Sequence, residues 1–149
     1  MDHMLLSFVL SFLGTVGFAV FFNVPKNTLF FCGLSGAFGW IVYLFLNENG
    51  NGVVFSIFLS SICVGVVAEI LSRIMKKPVT AFIIPSIIPL VPGSGLYLTM
   101  LLLVQKDYQK GIEKGVETFF ISGAIAIGLI ITSSIAKSIK TIQGRKVSR

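Results

Sequence analysis

Between Pro78 and Gln105 the chain carries no charge, yet the middle of that stretch reads Pro85-Ser86-Ile87-Ile88-Pro89-Leu90-Val91-Pro92-Gly93-Ser94-Gly95. Three prolines and two glycines interrupt a segment otherwise apolar enough to cross a bilayer. In lipid a broken helix leaves backbone groups unpaired, and this is tolerated only where protein or a watery cavity covers them. Transporters use such breaks to build binding sites near the bilayer midplane. The broken segment is therefore the strongest pointer to function in the sequence.

The surroundings agree with a membrane setting. Of 149 residues, 54% are hydrophobic and 12% charged, and the mean hydropathy is +0.92. Soluble domains average about 25% charged residues. The expected fold class is an all-α membrane protein, a single domain over 1–149 built as a bundle of about five transmembrane helices. The expected spans are 4–22, 28–46, 53–72, 79–104 and 116–136, with a basic tail over 137–149. Asn23-Val24-Pro25 closes the first span, because Pro25 pushes Val24 out of helical geometry. Asn27 suits the N-cap of the second, and Asn47-Glu48-Asn49-Gly50-Asn51-Gly52 is a dense turn signal after it. Pro78 suits the first turn of the fourth, which the prolines break near the midplane.

The net charge is +6, but the basic residues stand at the ends of apolar runs, which favours membrane topology over nucleic-acid binding. With five crossings, nine of the twelve basic residues share one side: Lys26, Arg73, Lys76, Lys77, Lys137, Lys140, Arg145, Lys146 and Arg149. Lys106, Lys110 and Lys114 occupy the other. This asymmetry predicts an N-terminus outside and a cytoplasmic C-terminus in the cell membrane, with anionic lipid headgroups near the basic side. It also disfavours a dual-topology antiparallel dimer, which needs similar basic counts on both sides. If the fourth segment were a re-entrant hairpin, the bias would weaken, so a full crossing is expected.

Within the fourth span each proline removes a donor and strands a carbonyl one turn back: Ala81 for Pro85, Pro85 for Pro89, Ile88 for Pro92. A second half-helix starting near Pro92-Gly93, capped by Gly93 or Ser94, would turn free amides and a positive dipole end into the bundle. A carboxylate is the natural occupant, with Ser94 and Tyr97 offering hydroxyl groups. The expected substrate path thus comprises Pro85, Pro89, Pro92, Gly93, Ser94, Gly95 and Tyr97, with Asn23 as a further polar group. The opposing reading is a set of kinks filled by neighbouring helices. Glu69 lies about one turn inside the third span with Arg73 four residues on. That spacing suits a boundary ion pair, or a coupling carboxylate and gate, since acids within membranes mark relays. Glu117 fits the dipole of the fifth helix. Small residues at helix-contact spacing, among them Gly33, Gly36, Gly39, Ser61, Gly65 and Gly128, point to close packing within the bundle and to further helices outside it, in a partner or a higher oligomer. Cys32 and Cys63 read as small buried hydrophobes. The residues compose no hydrolytic triad, carboxylate pair, metal-ligand spacing or nucleotide loop, so neither enzyme activity nor a cofactor is expected.

Asn23-Val24-Pro25, Glu69-x-x-x-Arg73 before Pro78, and above all Ile84-Pro85-x-x-x-Pro89-Leu90-Val91-Pro92-Gly93 with Tyr97 resemble the threonine/serine exporter family, specifically its small, separately encoded membrane subunit. The resemblance runs from the first span through at least Tyr97. It implies a proton-driven secondary exporter of small hydrophilic metabolites: threonine and serine, or dicarboxylates such as succinate for split subunit pairs. It also implies a larger multispan partner subunit. The alternative left open is a non-transporting assembly subunit of a larger membrane complex.

Overall fold

The computed structural model describes residues 2–147, and the side chains of 3–139. Its helices are α1 (Asp2–Phe21), α2 (Leu29–Glu48), α3 (Val53–Met75), α4 (Thr80–Ile87), α5 (Gly93–Val104) and α6 (Tyr108–Val147), with no strand among the described residues. Short 3-10 turns occupy Lys26–Thr28 and Ile88–Leu90. Four helices among the described residues are long and apolar enough to cross a membrane, and α4 with α5, bent by 51°, meets the same test as a pair. A bend of that size redirects the chain without reversing it. The protein is an all-α membrane bundle.

Glycine-to-side-chain contacts fix the helix directions. Gly33 of α2 meets Val16 and Phe12, and Gly36 meets Thr15, so α1 and α2 form an antiparallel hairpin. Gly39 packs on Val64 and, more loosely, Leu90, which sets the middles of α2 and α3 beside the end of the Ile88–Leu90 turn. Gly65 and Ser61 of α3 meet Thr132 and Gly128 of α6, so those two helices run parallel. Gly95, Gly115 and Gly111 pack on Thr118, Thr99 and Leu103, making α5 and α6 antiparallel. The chain therefore alternates through the bundle, and Lys26, Arg73, Lys76 and Lys77 gather at one end. Arg149 lies outside the described residues, as do the side chains of Lys140, Arg145 and Lys146.

Three helices end without glycine. Asn23, Lys76 and Lys106 take the left-handed conformation at φ 57°, 51° and 64°. After α1, Val24 N–H reaches Ala19 O and Asn23 N–H reaches Val20 O, the paired bonds that retire the last carbonyls of a helix. Lys106 and Asp107 repeat the pattern on Leu103 and Leu102 after α5. Asn27 is not the cap of α2: a 3-10 turn intervenes, and Thr28 donates its hydroxyl back to Pro25 O at 2.7 Å.

The last helix differs from its expected bounds at both ends. It begins at Tyr108 instead of 116 and continues to Val147 instead of yielding to a tail at 137. Asp107 accepts the Lys110 amide at 3.4 Å and its ammonium at 2.9 Å, so the helix starts there. That hydrogen bond and charge hold the Asp107 carboxyl below its ordinary range. Forty residues make a helix of about 60 Å, twice a hydrocarbon core of about 30 Å. Its charged first turns therefore stand clear of the apolar span and carry Lys114 and Glu117 to the α2–α3 end of the bundle.

Candidate substrate cavity

Pro85 in α4, Pro89 in the 3-10 turn and Pro92 before α5 break the span without orphaning its carbonyls. Ala81 O, stranded by Pro85, accepts from Cys32 Sγ at 3.4 Å. Pro85 O accepts the Ile88 amide, and Ile88 O accepts the Val91 amide at 3.1 Å. Ser86 Oγ in turn donates to Cys32 O at 3.2 Å. Cys32, fully buried, thus stitches α2 to the broken helix from both sides. Backbone bonds closed in this way make the break a fixed feature of the fold.

Beyond Leu90 the chain extends through Val91, at ψ 128°, and α5 restarts with Pro92 at the N-cap position and no side-chain cap. Gly93 N–H turns to Val91 O at 2.8 Å, and Leu96 N–H to Pro92 O at 3.1 Å. The amides of Ser94 and Gly95 have no hydrogen-bond partner among the described residues. Both residues line a cavity of about 310 Å³. Ile57, Leu90 and Ile121 from the buried cluster lie beneath it. Trp40 and Tyr43, with ring centroids 5.1 Å apart, form an aromatic wall. Lys114, Glu117 and Thr118 of α6 complete the lining. Lys114 Nζ sits 2.7 Å from Glu117 Oε2, both side chains about half-exposed, and Thr118 Oγ1 donates to Lys114 O at 2.7 Å.

Chemically the cavity pairs a positive focus with a neighbouring acid. Free amides at a helix start carry the positive end of its dipole, and Lys114 adds a full charge. Aromatic and aliphatic walls lower the local dielectric and strengthen both. Its volume stands at the small end of ligand pockets, which suits a metabolite of a few carbons.

Of the residues expected along the path, Pro89, Pro92, Ser94 and Gly95 line this cavity. Pro85 lies deeper, fully buried against α2. Gly93 begins α5 with open space where a side chain would stand. Tyr97 is 66% exposed and does not line the cavity. Asn23 caps α1 at the opposite end. Glu69 and Arg73 line a separate groove between α3 and α6, and the ion pair their spacing suggests is not formed. Trp40, Tyr43 and Thr118 are new to the lining, and Lys114 and Glu117, expected only in the charge balance and at the helix dipole, join them. Starting the last helix at Val116 left Lys114 in a loop; the small residues Gly111 and Gly115, at a four-residue spacing, carry the signal that extends it.

The chain matches the family described as Threonine/Serine exporter, ThrE, over residues 7–135. It belongs to the threonine/serine exporter family. The matched region contains α2 through α5, the whole cavity and most of the long α6. Among curated proteins, an uncharacterised protein of Haemophilus influenzae is 32% identical over 124 residues, covering 78% of this chain. The chain spans 42% of that relative's length. No solved structure matches. Family membership and apolar helices make this exporter-family member a multi-pass membrane protein.

Proposed function

We propose that this chain is the subunit of a secondary exporter that carries small carboxylate-bearing metabolites, threonine and serine or a dicarboxylate such as succinate, out of the cell. The carrying observation is the cavity whose lining includes Ser94 and Gly95, with their unpaired amides among the described residues, together with Lys114. Every substrate in that group bears a carboxylate, and a helix start beside a lysine is built to receive one. A larger multispan partner subunit supplies the rest of the path, in keeping with the 42% of the relative's length that the chain covers. Glu69 and Arg73 take the coupling or gating role in a proton-driven cycle, outside the cavity. The basic end of the bundle faces the cytoplasm.

Substrate protection of a Ser94→Cys variant tests this reading. Threonine, serine or succinate should slow its modification by a polar thiol reagent, whereas an uncharged amide of similar size should not. Equal labelling with and without all three acids, in cells that still export them, would move the path to the partner. The chain would then be an assembly subunit.

A further inference from the structure

Glu69 is 9% exposed, and its Oε2 is buried with no hydrogen-bond partner among the described residues. It lines a groove of about 300 Å³ between α3 and α6, whose walls are Val66, Ile70, Ile131 and Ile135, with Arg73 further along. Arg73 is exposed and has no hydrogen bond or ion pair among the described residues. Among the described residues one groove thus holds an acid and a base without partners, although a four-residue spacing on one helix lets such a pair form. Lipid tails offer nothing to the buried Glu69 carboxylate.

We propose that the groove is the contact between two copies of this chain, the Arg73 side chain of each reaching Glu69 of the other. The occupant follows from the charges. A different protein would have to bring both a base and an acid at matching depth, whereas a second copy carries both already. In a twofold contact, if residue i meets j then j meets i. An axis along the membrane normal keeps both copies in one orientation and brings equal depths together. Glu69 and Arg73 stand one turn apart, about 6 Å along the axis, a gap that an extended arginine spans. Rotation about the last carboxyl torsion, which is soft, offers either oxygen to the guanidinium. The β-branched walls have few rotamers to lose when a second copy seats. This inference does not depend on the substrate cavity, and it gives Glu69 and Arg73 a role in joining copies in place of coupling or gating.

The test uses the full chain carrying two different tags, co-purified in mild detergent at matched protein levels. Wild-type copies should co-purify. Glu69→Arg in both copies, or Arg73→Glu in both, should lower recovery by more than about tenfold, because like charges then face each other. One copy bearing Glu69→Arg together with another bearing Arg73→Glu should recover most of the yield, since each contact again joins an acid to a base. An ion pair within one chain cannot produce that rescue. Should the reversals fail to accumulate, Glu69→Gln and Arg73→Gln provide milder versions, each expected to lower recovery severalfold. The proposal is overturned if wild-type copies do not co-purify, if no variant, reversal or neutral, lowers recovery, or if the mixed pair is as weak as either reversal alone. Loss of another membrane protein in place of the sister copy would also overturn it.

Discussion

At the mouth of the cavity Lys114 and Glu117 neutralise each other across 2.7 Å, so an incoming carboxylate exchanges one salt bridge for another. Removing the lysine charge leaves the amides of Ser94 and Gly95 as the remaining positive focus. A charge-assisted hydrogen bond contributes about 1.5–3 kcal/mol, and with Lys114 partly solvated the lower figure applies, roughly tenfold in apparent affinity. On the proposed reading Glu117 sets the second half of the preference. Its carboxylate suits an ammonium and repels a second acid, so Glu117→Gln should raise succinate export relative to threonine export by about tenfold. Competition between the two labelled substrates in one efflux assay reads that ratio. A ratio that does not move would remove Glu117 from the specificity argument.

Between helices, close approach of α5 and α6 holds the cavity open, and it rests on particular small residues. A Cβ placed at Gly95 would stand 2.5 Å from Thr118 Oγ1, whereas one at Gly93 meets nothing within 4 Å. Gly95→Val should therefore destabilise the hairpin by about 1–3 kcal/mol, visible as a lower apparent melting temperature in detergent. Gly93→Ala should leave it unchanged; a reversed order would mean that α5 and α6 do not pack as described. On the α4 side, Ser86→Ala removes one buried bond to Cys32 O and should cost about 0.5–1.5 kcal/mol. Much at this scale is legible in the sequence. The prolines announce the break and even which carbonyls it frees, and Asn23-Val24-Pro25 and the turn over 47–52 bound the first two helices. The partners that close those carbonyls were not legible, because Cys32 is 49 residues from Ala81 along the chain. Lys114 is hidden for a different reason: it precedes the apolar run that marks the expected helix at 116–136, whereas i,i+3 pairs extend the helix through it.

Across the whole molecule, alternating helices place the α2–α3 loop and the α5–α6 loop at one end and the Lys26 and Lys76–Lys77 turns at the other. Reporters inserted after Gly50 and after Lys106 should report the same side, opposite to one inserted after Lys77. A reporter at Lys106 agreeing with Lys77 would make α4 and α5 a re-entrant pair. The amino-acid pattern anticipated this alternation, since span length and charge position follow from the bilayer itself. It could not show that the site is shared between the restart of α5 and a helix arriving from twenty residues further on.

The most direct measurement is efflux of preloaded threonine, serine and succinate from the native cells, with the chromosomal gene replaced by one encoding Lys114→Gln. If the cavity is the substrate path, export of the acid that the wild type carries should fall about tenfold at equal protein level, with Lys114→Arg retaining most of it. Undiminished export by Lys114→Gln would contradict the assignment.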